Sequence, residues 1–185
     1  MSRDREQRLE GLAVGDIELR LGVPEDAPAL AEVVIESWQT AFRGLLHDRA
    51  LLRMSMTEQT ARFERIMAEQ PAVEVWVAVQ GPGVVGYGTI GPERAVGREP
   101  EMCELRALYL RPAIWRRGVG RRMHDHLLGR MAATEFGRSM LWVFGLNARA
   151  RAFYESLGWS DMEQTNEIQL GDELHIAHRY ERALN

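Results

Sequence analysis

The chain has 185 residues, 45% hydrophobic and 27% charged, a balance ordinary for one soluble globular domain. Its net charge of -4 at pH 7 argues against a broadly basic nucleic-acid binder, and its single cysteine excludes an internal disulfide and a thiolate zinc cluster. No stretch approaches the ~20 apolar residues of a membrane span, so a cytoplasmic protein with neither a membrane nor a nucleic-acid partner is expected.

Residues 1–16 are too charged for a signal peptide and offer little to bury, which predicts a flexible extension ahead of a single domain over residues 17–185. Ile17 to Leu21 alternates apolar and charged residues, as a half-buried strand does. Pro24 and Pro28 mark a helix start, and Leu30, Val34, Trp38, Ala41 and Leu45 give that helix one apolar face. A second helix is predicted from Thr57, its cap, to Glu69, with Pro71 beyond its end. Trp38, Phe42, Leu45 and Phe63 then fall on one side of the helical pair. Val73 to Val79 and Val84 to Ile90 are β-branched runs on either side of Gln80-Gly81-Pro82-Gly83, the pattern of a hairpin. Arg94 to Pro100 reads as a polar connection.

Leu105 to Leu110 is mostly apolar, as in a strand covered on both faces, and Pro112 cannot extend its ladder. Val119, Met123, Leu127 and Met131 recur every four residues, the stripe of a helix that begins near Gly118 and ends by Gly137. The first turn of a helix has unpartnered N–H groups and a partial positive charge, and Gly118 and Gly120 would let an anion approach the backbone. Arg111, Arg116, Arg117, Arg121 and Arg122 add guanidiniums suited to phosphate oxygens. A P-loop is excluded because it requires a Lys and all 23 basic residues are Arg. A Rossmann turn fits poorly, since Met123 stands where a third Gly is needed and the glycines follow the strand too late. A diphosphate site of another design remains, beside the simpler reading of a glycine-containing helix start with a solvated basic face.

Met140 to Phe144 is the next strand, which makes a parallel pair with a helical crossover. Asn147 caps the following helix, Ala150, Phe153 and Leu157 form its apolar stripe, and Gly158 ends it before Trp159. Trp159 to Gln164 and Leu174 to Arg182 read as an antiparallel ribbon joined around Gly171-Asp172, and its exposure leaves both a monomer and a homodimer open. His124 and His126 diverge on a helix and His175 and His178 on a strand, so no metal site is expected.

Two segments carry a family resemblance. Trp115-Arg116-Arg117-Gly118-Val119-Gly120 resembles the acetyl-CoA loop of the GNAT superfamily of N-acetyltransferases (Gln or Arg, two residues, Gly, one residue, Gly or Ala), departing from it only at Trp115. Asn147, Tyr154, Gly158 and Trp159 are spaced as in a segment similar to the family's second cofactor element, in the expected order with one strand between the two. The resemblance spans about residues 17–182. It implies an α/β GNAT fold with a mixed, mostly antiparallel sheet, a splayed central parallel strand pair and about four flanking helices.

The resemblance further implies direct transfer of an acetyl group from acetyl-CoA to an amine of a small molecule or a peptide. By position, the backbone of Leu108, Tyr109 and Leu110 would bind the pantetheine arm. Arg116, Arg117, Gly118, Val119, Gly120 and Arg121 would hold the diphosphate, and Asn147 would reach the arm. Tyr154 would protonate the departing thiolate, and Glu104 would serve as base for the amine. Trp38, Phe42 and Tyr87 would line the acceptor pocket or pack as core. The alternatives are a cap-only Asn147, a structural Tyr154 and a Glu104 paired with Arg106 or another Arg. A non-catalytic GNAT-fold module that senses acyl-CoA is the other functional reading, which the tyrosine segment disfavours.

Overall fold

The computed structural model of the chain describes residues 16–94, 102–170 and 173–184. The elements in order are β1 (Ile17–Leu21), α1 (Ala27–Ala41), α2 (Asp48–Leu52), α3 (Met56–Glu69), β2 (Glu74–Gln80), β3 (Gly83–Pro92) and β4 (Met102–Leu110). After them come α4 (Val119–Ala132), β5 (Arg138–Phe144), α5 (Ala148–Ser156), β6 (Ser160–Leu170) and β7 (Glu173–Ala183). The seven strands make one sheet in the order β1-β2-β3-β4-β5-β7-β6, with β4 and β5 parallel. The expected extension, the polar connection after Arg94 and the turn at Gly171-Asp172 fall, nearly whole, outside the described residues.

Each face of the sheet has its own core. On one, Ala27, Leu30 and Val34 of α1 and Phe63 of α3 bury against Val75, Val77 and Tyr87. On the other, the α4 stripe of Val119, Met123, Leu127 and Met131 packs with Tyr154 and Leu157 over Val85, Leu105 and Leu141. All four stripe residues are at most 2% exposed, and each contributes about 1.5–3 kcal/mol by burial. Gly88 lets α4 sit this close, since a Cβ there would lie 2.3 Å from Leu127 Cδ1.

Several helix ends differ from the sequence-based expectation, each for a local reason. Ser55, not Thr57, caps α3, its hydroxyl accepting the Glu58 N–H at 3.3 Å. The helix α1 stops at Ala41 and the chain turns at Gly44, whose φ is +75°, so Leu45 leaves the apolar face and is exposed. The short α2 was not expected; the His47 Nδ1 caps it by accepting the Arg49 N–H at 3.2 Å. The helix α4 ends at Ala132 rather than at Gly137, because both the N–H and the hydroxyl of Thr134 turn back onto the Met131 carbonyl.

The parallel pairing of β4 with β5 is short. It joins Met102, Cys103 and Glu104 to Arg138, Ser139 and Met140 and goes no further. Beyond Glu104 the two strands part, leaving a notch between Leu105–Leu110 and the second half of β5. Cys103 lies at the closed end, buried, its thiol pushed up to about 11 mainly by desolvation, as an inert thiol would be.

His124 ties α4 to the start of β6. Its Nε2 accepts the Trp159 indole N–H at 2.9 Å, which puts the proton on Nδ1, 2.9 Å from Asp125 Oδ1. Burial lowers its pKa, Asp125 opposes the shift, and Arg182 and Arg121 add to it. A histidine depressed in the fold takes up a proton more readily when unfolded. Its contribution is therefore complete above the unfolded value near 6.5 and declines as pH falls toward the folded value. Urea titrations from pH 8 to pH 5 should show wild-type stability falling below about 6.5, with a smaller slope in His124→Leu.

Candidate active site

The backbone facing the notch follows from strand register. Arg111 donates its N–H to the Val85 carbonyl at 2.8 Å, and hydrogen-bonded pairs alternate along an antiparallel ladder. Tyr109 paired with Tyr87, and Ala107 with Thr89, therefore bond to β3. The polar backbone of Leu108 and Leu110 points the other way, toward β5. By the same alternation, the bond of the Gly145 N–H to the Ile176 carbonyl turns the backbone of Trp142 and Phe144 of β5 toward the notch. The Leu110 carbonyl is already taken, by the Trp115 indole at 2.8 Å. What remains is an edge that an amide-containing chain can join as a strand would.

At the mouth of the notch lies the first turn of α4. Gly118 caps it in the left-handed region with φ +82°, and nothing lies within 4 Å of where its Cβ would be. The first carbonyl used in the helix is that of Gly118, which accepts the Arg122 N–H at 3.0 Å. The amides of residues 118–121 thus have no intrahelical acceptor. Arg116, itself at φ +62°, and Arg121 are exposed and have no ion-pair partner among the described residues. Arg117 is half-buried and Arg122 exposed beside them. The cluster is smaller than the sequence suggested, because Arg111 is spent elsewhere. It is buried between Glu32 at 2.7 Å and Glu36 at 2.5 Å on α1, and its Nε donates to the Val84 carbonyl at 3.0 Å.

From the other side of the notch, α5 begins at Asn147, whose Oδ1 accepts the Ala150 N–H at 3.0 Å. Capping uses the carbonyl oxygen and leaves the amide NH2 without a partner among the described residues. Two turns on, the Tyr154 ring is buried, edge-on to Trp159 with centroids 6.1 Å apart. Burial pushes its phenol well above the ordinary value, with nearby Tyr109 adding to the shift. No described residue hydrogen-bonds its hydroxyl.

Glu104 is 2% exposed and faces the α1–α3 side at the closed end of the notch. Its carboxylate is clamped by Arg94, with Nε at 3.0 Å and Nη2 at 2.5 Å, while Arg106 Nε stands 3.8 Å away. Arg94 is 55% exposed, so the clamp is reached from solvent.

On the same side two adjoining cavities of about 320 and 280 Å³ share Arg62, Tyr87, Arg106 and Ala107. Trp38 and Tyr87 line the second, together with Tyr109. Phe42 does not. It is 3% exposed, packed with Leu46 and Leu51 and tilted against Trp38 with ring centroids 4.9 Å apart.

Two features had weak or no sequence signal. The departure from the family pattern at Trp115 has a structural use: the indole bonds to Leu110, and the Arg149 guanidinium lies 3.6 Å over its ring, joining loop to α5. The motif position alone marked Trp115 as unusual. The Arg94 clamp on Glu104 spans ten residues and the polar connection, and no local pattern announces it. Among the described residues no group of three or more His, Cys, Asp or Glu could hold a metal, and no helix is long and apolar enough to cross a membrane.

Residues 33–159 match the Acetyltransferase (GNAT) family. The chain is 28% identical over 141 residues to an uncharacterized N-acetyltransferase, YjgM, of Escherichia coli K12, covering 75% of this chain and 79% of that one. Among solved structures it is similar to the PaiA N-acetyltransferase of Thermoplasma acidophilum in complex with coenzyme A, with a TM-score of 0.69, 19% identity and coverage of 90% and 98%. It also resembles YncA, a putative acetyltransferase of Salmonella typhimurium with acetyl-CoA, with a TM-score of 0.69, 17% identity and coverage of 92% and 95%.

Proposed function

The chain belongs to the GNAT acetyltransferase family, and from that premise we propose that it transfers the acetyl group of acetyl-CoA to a primary amine by direct attack in a ternary complex. The observation that carries this reading is the alignment of an unpartnered helix N-terminus, an unpaired strand edge and a free buried phenol along one notch. A diphosphate fits the first, a pantetheine arm the second, and the sulfur then falls to Tyr154.

The thioester supplies an activated acetyl group; as the N–C bond forms and the C–S bond breaks, the amine loses a proton and the thiolate gains one. The amides of residues 118–121, with Arg116 and Arg121, hold the diphosphate. Leu108 and Leu110 orient the arm by their backbone, and Asn147 donates to it from the opposite wall. Tyr154 meets the thiolate as it leaves. An ordinary phenol at ~10 giving its proton fully to a thiol at ~8.5 loses about 2 kcal/mol, and burial widens the gap. Tyr154 therefore acts first as a hydrogen-bond donor that stabilises the developing negative charge; as the thiol departs with the phenolic proton, water reprotonates the phenolate.

Glu104 takes the amine proton, through water or after Arg94 swings into solvent. The size of that task depends on the amine. Neutralising a lysine-like amine of pKa ~10.4 at pH 7 costs about 4.6 kcal/mol, whereas an N-terminal α-amine at ~8 costs about 1.4. Glu104→Gln should accordingly slow acetylation of a strongly basic amine by 10²-fold or more at pH 7, and that of a weakly basic one much less. Thiol release from acetyl-CoA, followed with both kinds of amine, measures the difference. Acetyl-CoA that binds but releases no thiol with any amine would contradict the transferase reading.

A further inference from the structure

We propose that the acceptor is a small primary amine that also carries a carboxylate, an amino acid or a close derivative, held by Arg62 and Arg106 with its amine toward Glu104; this rests on the transferase reading above. The two cavities, one of them lined by the Arg94 and Arg106 that flank Glu104, are small, about 320 and 280 Å³, near the lower limit of the ~300–1,000 Å³ of ligand sites. They suit one amino-acid-sized molecule.

Their charge is one-sided. The larger is lined by Arg62, Arg65, Arg94 and Arg106 against a single carboxylate, Glu69, and the smaller by Arg62 and Arg106 with none. Glu104 neutralises Arg94 at short range and pairs more loosely with Arg106, which leaves Arg62 and Arg65 without a carboxylate partner among the described residues. Arg62 bonds the uncharged Gln59 at 3.4 Å, and Arg65 has no ion partner among the described residues. Arg106 spends its Nη atoms on the Gln70 side-chain oxygen at 3.3 Å and the Pro92 carbonyl at 2.7 Å. Arginines gathered around one cleft attract an anion and repel a cation.

The unmet hydrogen-bonding groups agree. Arg106 Nε is buried with no hydrogen bond, too far from Glu104 at 3.8 Å. The Trp38 Nε1–H, directed at the Tyr109 phenol, also lacks hydrogen-bond geometry to any acceptor. Both groups are donors; Arg106 lines both cavities and Trp38 the smaller. A buried donor without an acceptor calls for one, and a carboxylate is acceptor-only. The same cavity disfavours polyamines and lysine-rich peptides, whose extra cations would meet guanidiniums.

The test uses the full chain saturated with CoA. Isothermal titration calorimetry compares the twenty amino acids with the carboxamide and the decarboxylated amine of each binder, and with spermidine. At least one amino acid should bind roughly 10- to 100-fold more tightly than its carboxamide, as expected for a charge-assisted pair. Arg62→Gln, on the exposed face of α3, should abolish that preference and raise the KM of the amino acid while leaving the KM of acetyl-CoA unchanged. Carboxamides or spermidine binding as well as the acids, no binder in the panel, or a preference intact in both Arg62→Gln and Arg106→Gln would overturn the proposal. An amino acid bound with the predicted preference but never acetylated would uphold the carboxylate site and contradict the transferase reading instead.

Discussion

Tyr154→Phe is expected to lower kcat about 100-fold and to leave the KM for acetyl-CoA within about twofold. The loss corresponds to about 2.7 kcal/mol of transition-state stabilisation. It falls on kcat because the phenol faces charge that appears only as the C–S bond breaks. The ring itself is retained by Phe, so its contacts with Phe153 and Trp159 survive and the fold should not suffer. Since burial raises the phenol, it stays protonated through the neutral and mildly alkaline range, and no alkaline loss of activity traceable to it should appear below pH ~10. Steady-state kinetics of the two proteins from pH 6 to pH 9.5 would check both points. Equal kcat values would remove Tyr154 from the reaction.

Gly118→Val should weaken acetyl-CoA binding 10- to 100-fold while the protein stays folded. The glycine has φ +82°, and space is not its constraint, because nothing surrounds the missing Cβ. Conformation is. A left-handed backbone costs an L-residue about 1–2 kcal/mol, more for a β-branched one, and the loop escapes that cost by changing shape. The amides of residues 119–121 then no longer converge on one diphosphate. Gly129→Val on the same helix is the control, since its Cβ also meets open space but its φ is ordinary. Fluorescence or calorimetric titration with acetyl-CoA should separate the two variants. Equal affinities would mean that the diphosphate is not bound where proposed.

What could be read from the residues alone was what repeats or sits beside its partner in sequence. The α4 stripe from Val119 to Met131 follows helical spacing, and all of it is buried. The runs that became β2 and β3 announced their hairpin, because β-branched residues flank Gly81 and Pro82. Asn147 and Gly158 were visible as helix punctuation for the same local reason. The errors are equally physical. Ser55 and Thr57 compete as caps two residues apart, and only the bond to Glu58 decides between them. The five residues of α2 are too few for a period to show, with Leu51 buried beside an exposed Leu52.

Long-range pairing was the hardest part. Arg111 looks like one more guanidinium of the phosphate cluster until α1 brings Glu32 and Glu36 against it from more than seventy residues away. Glu104 stood out as an acid at the head of the central strand, but its Arg94 clamp depends on how the chain returns from β3. The proposed acceptor cavity draws Arg62 from α3 and Arg106 from a bulge in β4, and no spacing in the chain links them.

A crystal structure with bound acetyl-CoA would decide where the cofactor lies. Diphosphate oxygens are expected on the amides of residues 118–121, the pantetheine arm along Leu108 and Leu110 inside the β4–β5 notch, and the sulfur within ~3.5 Å of the Tyr154 hydroxyl. A diphosphate bound away from that turn, or a sulfur on the far side of the sheet from Tyr154, would contradict that placement.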